Sequence, residues 1–235
     1  MIRNFAVYLF VLLGITSLQA GEKVKTVLFP FREAVISSRI ESTAGKYNFR
    51  QGEAFEANAV LTELDKENYK IRLKQAQDQF NFTQTAYQDK LDLYKGKFTS
   101  DFELKKAEYE YRTSESNLAA AKLNYTYCTI RAPFAGKIVE VITREYETVR
   151  PGQQLLRIID DNSLLAVMNI PLEKVQTPGS VKTIELQNGM KVQGKVYEIS
   201  PQADHRTGTV RIKILINNRE GKLRAGMTGV LDDAQ

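Results

Sequence analysis

Leu104-Lys105-Lys106-Ala107-Glu108-Tyr109-Glu110-Tyr111-Arg112-Thr113-Ser114-Glu115-Ser116-Asn117-Leu118-Ala119-Ala120-Ala121-Lys122-Leu123-Asn124-Tyr125 places an apolar or small residue at 104, 107, 111, 114, 118, 121 and 125, in strict alternation of three and four. That spacing keeps one narrow stripe on one side of an α-helix, a heptad seam. Upstream, Tyr69, Leu73, Ala76, Phe80, Thr83 and Tyr87 repeat the alternation, and after one step of four Leu91 and Tyr94 continue it. Between the two arms lies Gly96-Lys97-Phe98-Thr99-Ser100. Gly96 suits a helix C-terminal cap, and Ser100 followed by Glu103 is a Ser-x-x-Glu capping box. So short a break turns the two seams toward each other, antiparallel. The prediction is a helical coiled-coil hairpin over 66–126, with arms of ~40 to 45 Å at 1.5 Å per residue. Its seam is expected to rest on Leu73, Phe80, Tyr87, Leu104, Tyr111 and Leu118. A helix layer lying on a sheet calls for a broader stripe than two positions in seven, so the hairpin is expected to project from the rest.

Outside the hairpin the composition changes. From Val24 to Asp65 the chain reads as strands punctuated by Gly45 and Gly52; from Lys66 to about Tyr125 it holds one glycine and no proline; from Thr129 onward glycine, proline and β-branched residues return. A helical block is set inside a β-protein. With 235 residues and 43% hydrophobic content, the chain is long enough for small packed modules and is not wholesale disordered.

At the N-terminus, Arg3 precedes a mostly apolar run from Phe5 to Ile15, which turns polar at Thr16 and Ser17 before Leu18-Gln19-Ala20. That is the pattern of a secretory signal over 1–20, cleaved after Ala20; a membrane span asks for ~20 apolar residues. The expected location is the periplasm. Cys128, the single cysteine, cannot pair within the chain and reads as a small buried hydrophobe.

The net charge of +5 does not point to nucleic acid. Lys70, Arg72, Lys105 and Lys106 interleave with Glu67, Asp89, Glu103 and Glu108, the pattern of a solvated helix face rather than a basic stripe. No catalytic, cofactor or metal site is legible either. His205 is the only histidine and stands in a turn-like Asp204-His205-Arg206 stretch; Met168, Met190 and Met227 are scattered; no glycine-rich phosphate loop follows a strand. No cofactor is expected, and an enzyme would have no residues to carry it.

The β-segments on either side of the hairpin match at an offset of 94 positions: Phe55, Leu61 and Leu64 align with Val149, Leu155 and Ile158, and Asn58 with Gly152. Two halves of one module closing around the inserted helices would give this similarity. The run Leu118-Ala119-Ala120-Ala121-Lys122-Leu123-Asn124-Tyr125-Thr126-Tyr127-Cys128-Thr129-Ile130-Arg131-Ala132-Pro133-Phe134-Ala135-Gly136 resembles the signature of the periplasmic adaptor, or membrane fusion protein, family. There a second hairpin helix runs into a Thr-x-Ile-x-Ala-Pro-Phe-x-Gly strand of a lipoyl-like barrel-sandwich. A second block, Gly194 to Asp204, Arg206 to Arg211, Asn217-Asn218 and Leu223 to Met227, is similar to the family's β-barrel domain. In it Val210, Ile212, Ile214 and Ile216 alternate with polar positions as in a half-buried strand. Pro133 is expected to end a ladder and Gly136 to allow a tight turn.

The resemblance implies a mainly β fold with an inserted helical hairpin. The barrel-sandwich hybrid is expected at 33–65 and 127–163, and the β-barrel at 23–32 and 164–235. It also implies a function without catalysis: bridging an inner-membrane exporter of the resistance-nodulation-division (RND) or ABC type to a TolC-type outer-membrane channel, with several copies forming a homo-oligomeric ring. In RND-type adaptors an Arg, Leu, Ser set surrounds the hairpin turn. Here Leu93 and Ser100 occupy two positions, Asp89 stands at the third and Lys90 beside it, so these four are the candidate docking residues. Departures are visible. Ser42 aligns with Gly136 and Tyr146 with Gly52, so one turn in each half is expected to be built differently. Few residues lie outside the strands at either end, so a short form without the membrane-proximal domain is expected. A stand-alone envelope interaction protein is the alternative. A lipoyl-type carrier would use Lys66, but that lysine opens a helix rather than a β-turn.

Overall fold

In a computed structural model of the chain, residues 24–175 and 177–231 are described; the expected signal segment, 1–20, lies outside them. Strands β1 (Val24–Ser37), β2 (Ser42–Tyr47), β3 (Ala54–Phe55) and β4 (Val60–Leu64) lead into helices α1 (Glu67–Lys95) and α2 (Asp101–Thr126). Then come β5 (Thr129–Arg131), β6 (Gly136–Val141), β7 (Thr148–Val149), β8 (Gln154–Pro171), β9 (Val181–Leu186), β10 (Lys191–Asp204), β11 (Thr209–Asn217) and β12 (Thr228–Leu231). The fold is mainly β with two inserted helices. No helix among the described residues is long and apolar enough to cross a membrane. The chain divides into two compact units, one of residues 28–166 and 215–227, the other of the remaining described residues.

The core of the larger unit explains the 94-residue similarity. Leu61, Leu64, Phe55 and Ala44 from before the helices pack in one cluster with Leu155, Ile158, Val149 and Ile138 from after them, all at most 5% exposed. The backbone repeats itself with the same offset. Gly52 N–H donates to Ile138 O at 2.8 Å and Tyr146 N–H to Ala44 O at 2.8 Å; Asn58 N–H donates to Ala132 O at 2.9 Å and Gly152 N–H to Ser38 O at 2.8 Å. β2 pairs with β7 through Ser42 and Val149, and β3 with β6 through Phe55 and Gly136. These bonds made by one half to the other are returned at the equivalent place, so the two halves are related by an approximate two-fold and each completes the other's core.

Two expectations are corrected here. The turn at Tyr146 is not built differently: Tyr146 has φ 64° and its counterpart Gly52 φ 86°, as Asn58 has 65° and Gly152 86°. The cross-half hydrogen bond dictates the turn, and Tyr146 tolerates a left-handed backbone at a cost of about 1 kcal/mol with its ring exposed. Gly136, in turn, does not serve a tight turn. It opens β6, where an added Cβ would overlap the carbonyl oxygen of Ile159; the glycine is needed for close approach of two strands. Its counterpart Ser42 faces Asp65, the counterpart of Ile159, and there the Ser42 hydroxyl donates to the Asp65 carbonyl at 2.7 Å.

In the other unit β12, β9 and β10 lie between β1 and β11, and a β1–β8 pairing closes the ring of strands into a barrel. Its interior holds Ile170, Ile184, Leu186, Val196, Val210, Ile212 and Leu231, each at most 4% exposed. The alternation of β11 is the half-buried pattern of such a strand.

Asp65 starts α1 by accepting the Glu67 N–H at 3.0 Å. Along both helices the least exposed residues are those of the heptad stripes: Leu73, Phe80, Thr83 and Tyr87 on α1 and Leu104, Ala107, Tyr111, Ser114 and Leu118 on α2. Tyr111 sits between Phe80 and Tyr87, its ring centroid 5.6 and 5.5 Å from theirs. Beside it the Thr83 and Ser114 hydroxyls meet at 2.5 Å. Only Thr83 on α1 and Ala107, Ser114 and Leu118 on α2 are fully buried, as a seam closed by two helices alone requires.

Candidate docking site at the hairpin tip

The turn between the helices is set by hydrogen bonds that close the end of α1. Phe98 N–H donates to Leu93 O at 2.8 Å and Lys97 N–H to Tyr94 O at 2.9 Å, the paired bonds of a Schellman ending. That motif puts its left-handed residue at Lys97, φ 62°, whereas Gly96 is helical at φ −76°. Gly96 therefore is not the left-handed cap its sequence position suggested. It is glycine because a Cβ would come within 2.7 Å of the Phe98 ring. Replacing Lys97 with glycine is expected to stabilise the hairpin by about 1 kcal/mol, since only the β-carbon strain at the left-handed position is removed. Thermal unfolding followed by helical circular dichroism checks this; an unchanged or lower midpoint would show that the position is not strained.

Ser100 begins α2 as its N-cap, with an extended backbone, and its Oγ accepts the Glu103 N–H at 3.2 Å. The Glu103 carboxylate lies 3.7 Å from Lys90 Nζ across the hairpin, which ties the two helices just below the turn. Asp92 accepts from Lys95 and Gln88, and those two bonds, with the Lys95 charge, hold its carboxyl below the usual range. Asp89 is exposed on α1 and makes no ion pair within the described residues.

Of the four sequence candidates, Lys90 is thus engaged in the tie to Glu103, Ser100 in the cap, and Asp89 and Leu93 face solvent. Leu93 is 44% exposed, Phe98 in the turn 81%, and Phe102 in the first turn of α2 74%. The sequence reading passed over both phenylalanines. A signal for them existed: Phe98 is an aromatic residue in a connection where polar residues are the rule, and Phe102 occupies a heptad position opposite the seam. The tip therefore exposes four large apolar side chains, Leu93, Tyr94, Phe98 and Phe102, among charged neighbours.

The hairpin base offers different surroundings. A shallow groove of about 830 Å³ is lined by Thr43, Lys46, Glu63, Asp65, Lys66 and Tyr146 among others. Lys66 pairs there with Glu63 at 2.9 Å, and that hydrogen bond raises its pKa. Nearby Tyr47 is pushed up to about 12, by burial first and then by the charges of Glu147 and Glu145. Burial likewise raises the Cys128 thiol, leaving it protonated and inert. His205 is exposed in the turn between β10 and β11. Among the described residues, no group of three or more His, Cys, Asp or Glu side chains is placed to hold a metal ion.

Residues 175–232 match the family described as CusB-like, beta-barrel domain. The nodulation protein NolF of Rhizobium meliloti is 29% identical over 127 residues, 52% of this chain and 35% of that one. The multidrug resistance protein MdtA of Yersinia pestis is 26% identical over 218 residues, 80% of this chain and 49% of that one. The chain spans about half the length, or less, of these curated relatives. Among solved structures, a MacA-MexA chimera containing the Pseudomonas aeruginosa MexA α-hairpin domain aligns with a TM-score of 0.76 at 20% identity, over 89% of this chain and 79% of the chimera. The membrane fusion protein Spr0693 of Streptococcus pneumoniae aligns at 0.71 and 13% identity, over 90% and 97%. In its barrel sequence and over part of its curated relatives the chain is similar to periplasmic adaptor, or membrane fusion, proteins, and it shares with solved structures of that kind the fold in which a helical hairpin interrupts two exchanged β-halves.

Proposed function

We propose that the chain is a non-catalytic adaptor of the bacterial envelope that joins an inner-membrane exporter to a TolC-type outer-membrane channel. In this reading the chain comprises a barrel-sandwich of 33–65 and 127–163, a β-barrel of 23–32 and 164–235 and a hairpin of 66–126 that reaches the channel, and several copies assemble side by side. The observation that carries this reading is the hairpin itself. Its arms are ~40 Å long, it is held together by its own seam, and its tip exposes Leu93, Phe98 and Phe102 where a monomer would place polar residues. Large apolar side chains exposed among charges make a contact surface awaiting a partner, and Ser100 and Leu93 set its shape.

The test uses a cell whose efflux depends on this chain. Leu93→Glu and Phe98→Glu are each expected to cut cross-linking to the outer-membrane channel more than about tenfold, the loss of a central apolar contact, and to abolish efflux. Secretion and helical content should stay unchanged, because both side chains are exposed. Cross-linking that survives both changes would remove the tip as the docking surface.

A further inference from the structure

The two halves of the sandwich repeat one backbone device and furnish it differently. From Ala44 opposite Leu64 to Tyr47 opposite Thr62, β2 advances three residues while β4 advances two; from Ile138 opposite Ile158 to Val141 opposite Leu156, β6 and β8 do the same. Each is a bulge, which re-aims the side chain beside it. On β6 that side chain is Glu140, and Arg157 holds it at 2.8 Å. Their counterparts at the offset of 94 are Lys46 and Glu63, and these two do not pair. Glu63 is taken by Lys66. Lys46, like Glu67 in the first turn of α1, is exposed with no ion-pair partner among the described residues. The turns differ as well. Gly52 and Tyr146 hold the same left-handed backbone, and Gly52 shows that the turn asks for no side chain. Tyr146 carries the strain of a β-carbon there with its ring 64% exposed, so burial does not offset that strain. Strain kept outside a core is a mark of ligand sites.

Tyr146, Lys46, Glu63, Lys66 and Glu67 all line the groove of about 830 Å³ at the hairpin base, which lies within the ~300–1,000 Å³ of small-molecule sites. We propose that this groove binds an uncharged oligosaccharide of β-linked pyranose rings. Such a ring has flat faces of C–H groups and a rim of hydroxyls that both donate and accept. The exposed Tyr146 ring offers a platform for a C–H face, and at the rim Lys46 donates and Glu67 accepts. Other chemistries fit worse. Glu63, Asp65 and Glu67 outnumber Lys46 and Lys66 in the lining, which disfavours a phosphate or other anion. An extended peptide needs an open strand edge, but the Ala44 N–H is bonded to Glu147, the Ala44 carbonyl to Tyr146 and the Tyr47 N–H to the Glu145 carboxylate. An apolar ligand calls for an enclosed, mostly apolar pocket, and this groove is shallow with a largely polar lining. Nothing in this site depends on the hairpin tip or on an exporter.

The chain has no tryptophan, so Tyr146→Trp places a single indole in the groove and makes binding visible. Titrating that variant of the purified full chain with cellotriose and with tri-N-acetylchitotriose is expected to give a saturable change in indole emission with at least one of them. Adding Lys46→Met and Glu67→Gln should weaken that binding about tenfold or more, the loss of hydrogen bonds to charged groups. In the natural chain, saturation-transfer NMR on the same sugar should report contact, which Tyr146→Phe keeps and Tyr146→Gly abolishes. Urea unfolding supplies the control for a merely structural ring: Tyr146→Gly should raise the midpoint, because it relieves the left-handed backbone, while binding is lost. A lower midpoint for Tyr146→Gly would assign the ring to the fold and overturn the proposal. So would the absence of binding by both sugars, an indole signal indifferent to the Lys46 and Glu67 changes, or a Tyr146→Gly chain that still binds.

Discussion

Replacing Gly136 with alanine is expected to cost on the order of 3 kcal/mol or more, at the top of the range for overpacking, and to unfold the barrel-sandwich rather than adjust it. The reason is that the obstruction is backbone. The new methyl would overlap the carbonyl oxygen of Ile159 and crowd the carbonyl carbon and the Asp160 nitrogen, and none of these can rotate aside as a side chain would. β6 and β8 would have to part, breaking the register that pairs Lys137 with Ile159 and Ile138 with Ile158. With it would go the Gly52 and Glu53 bonds to Ile138 that join the two halves. Gly52→Ala is the matched control: no atom lies within 4 Å of its missing methyl, so it should lose only the ~1 kcal/mol of left-handed strain. Urea unfolding of both variants, followed by tyrosine fluorescence, separates the two. A loss below 1 kcal/mol at Gly136 would mean that the strands are farther apart than described.

The second large effect belongs to the hairpin. Leu118→Asp is expected to cost on the order of 3 kcal/mol, because it buries a carboxylate with no partner in the closed part of the seam. Leu118 is 5% exposed and is one of four fully buried helical residues, so the seam has little redundancy there. The helices pack on one another, and the buried sandwich core is drawn from strands and the loops between them, with none of it from the helices. Hydrogen exchange should therefore accelerate across 67–126 while the strands stay protected. Equal acceleration throughout would show that the helices are fused to the sheet core, against the hairpin's independence.

The seam was legible because two helices that meet only each other must spell their contact in a bare three-four alternation; a third neighbour would have blurred it. The offset of 94 was legible for a similar reason, since equivalent core positions such as Leu61 and Leu155 need the same kind of side chain. What escaped the reading is where one residue's conformation is chosen by another far away. Tyr146 takes a left-handed backbone because Ala44 waits for its N–H, and nothing in the local sequence announces that bond. Gly96 and Lys97 exchange roles because the Phe98 ring occupies the space over Gly96. Gly136 reads as a turn glycine until Ile159, 23 residues on, is seen to lie against it. The exposed Phe98 and Phe102 were in plain view, but pattern reading looks for apolar residues that face inward and passes over those that face out.

The exchanged halves have a consequence for how such a chain can change over time. The hairpin leaves the sandwich at Leu64 and returns at Cys128, and Leu64 N–H donates to Cys128 O at 2.7 Å. The two ends of the insert are thus clamped side by side by the strands that flank it, whatever lies between them. Adding one heptad to each arm would extend the reach by ~10 Å without altering a single contact of the clamp, and removing one would shorten it as freely. Span and platform are separate inheritances in this architecture: the arms are an exchangeable cassette whose length can follow the gap to be crossed while the socket that holds them stays the same.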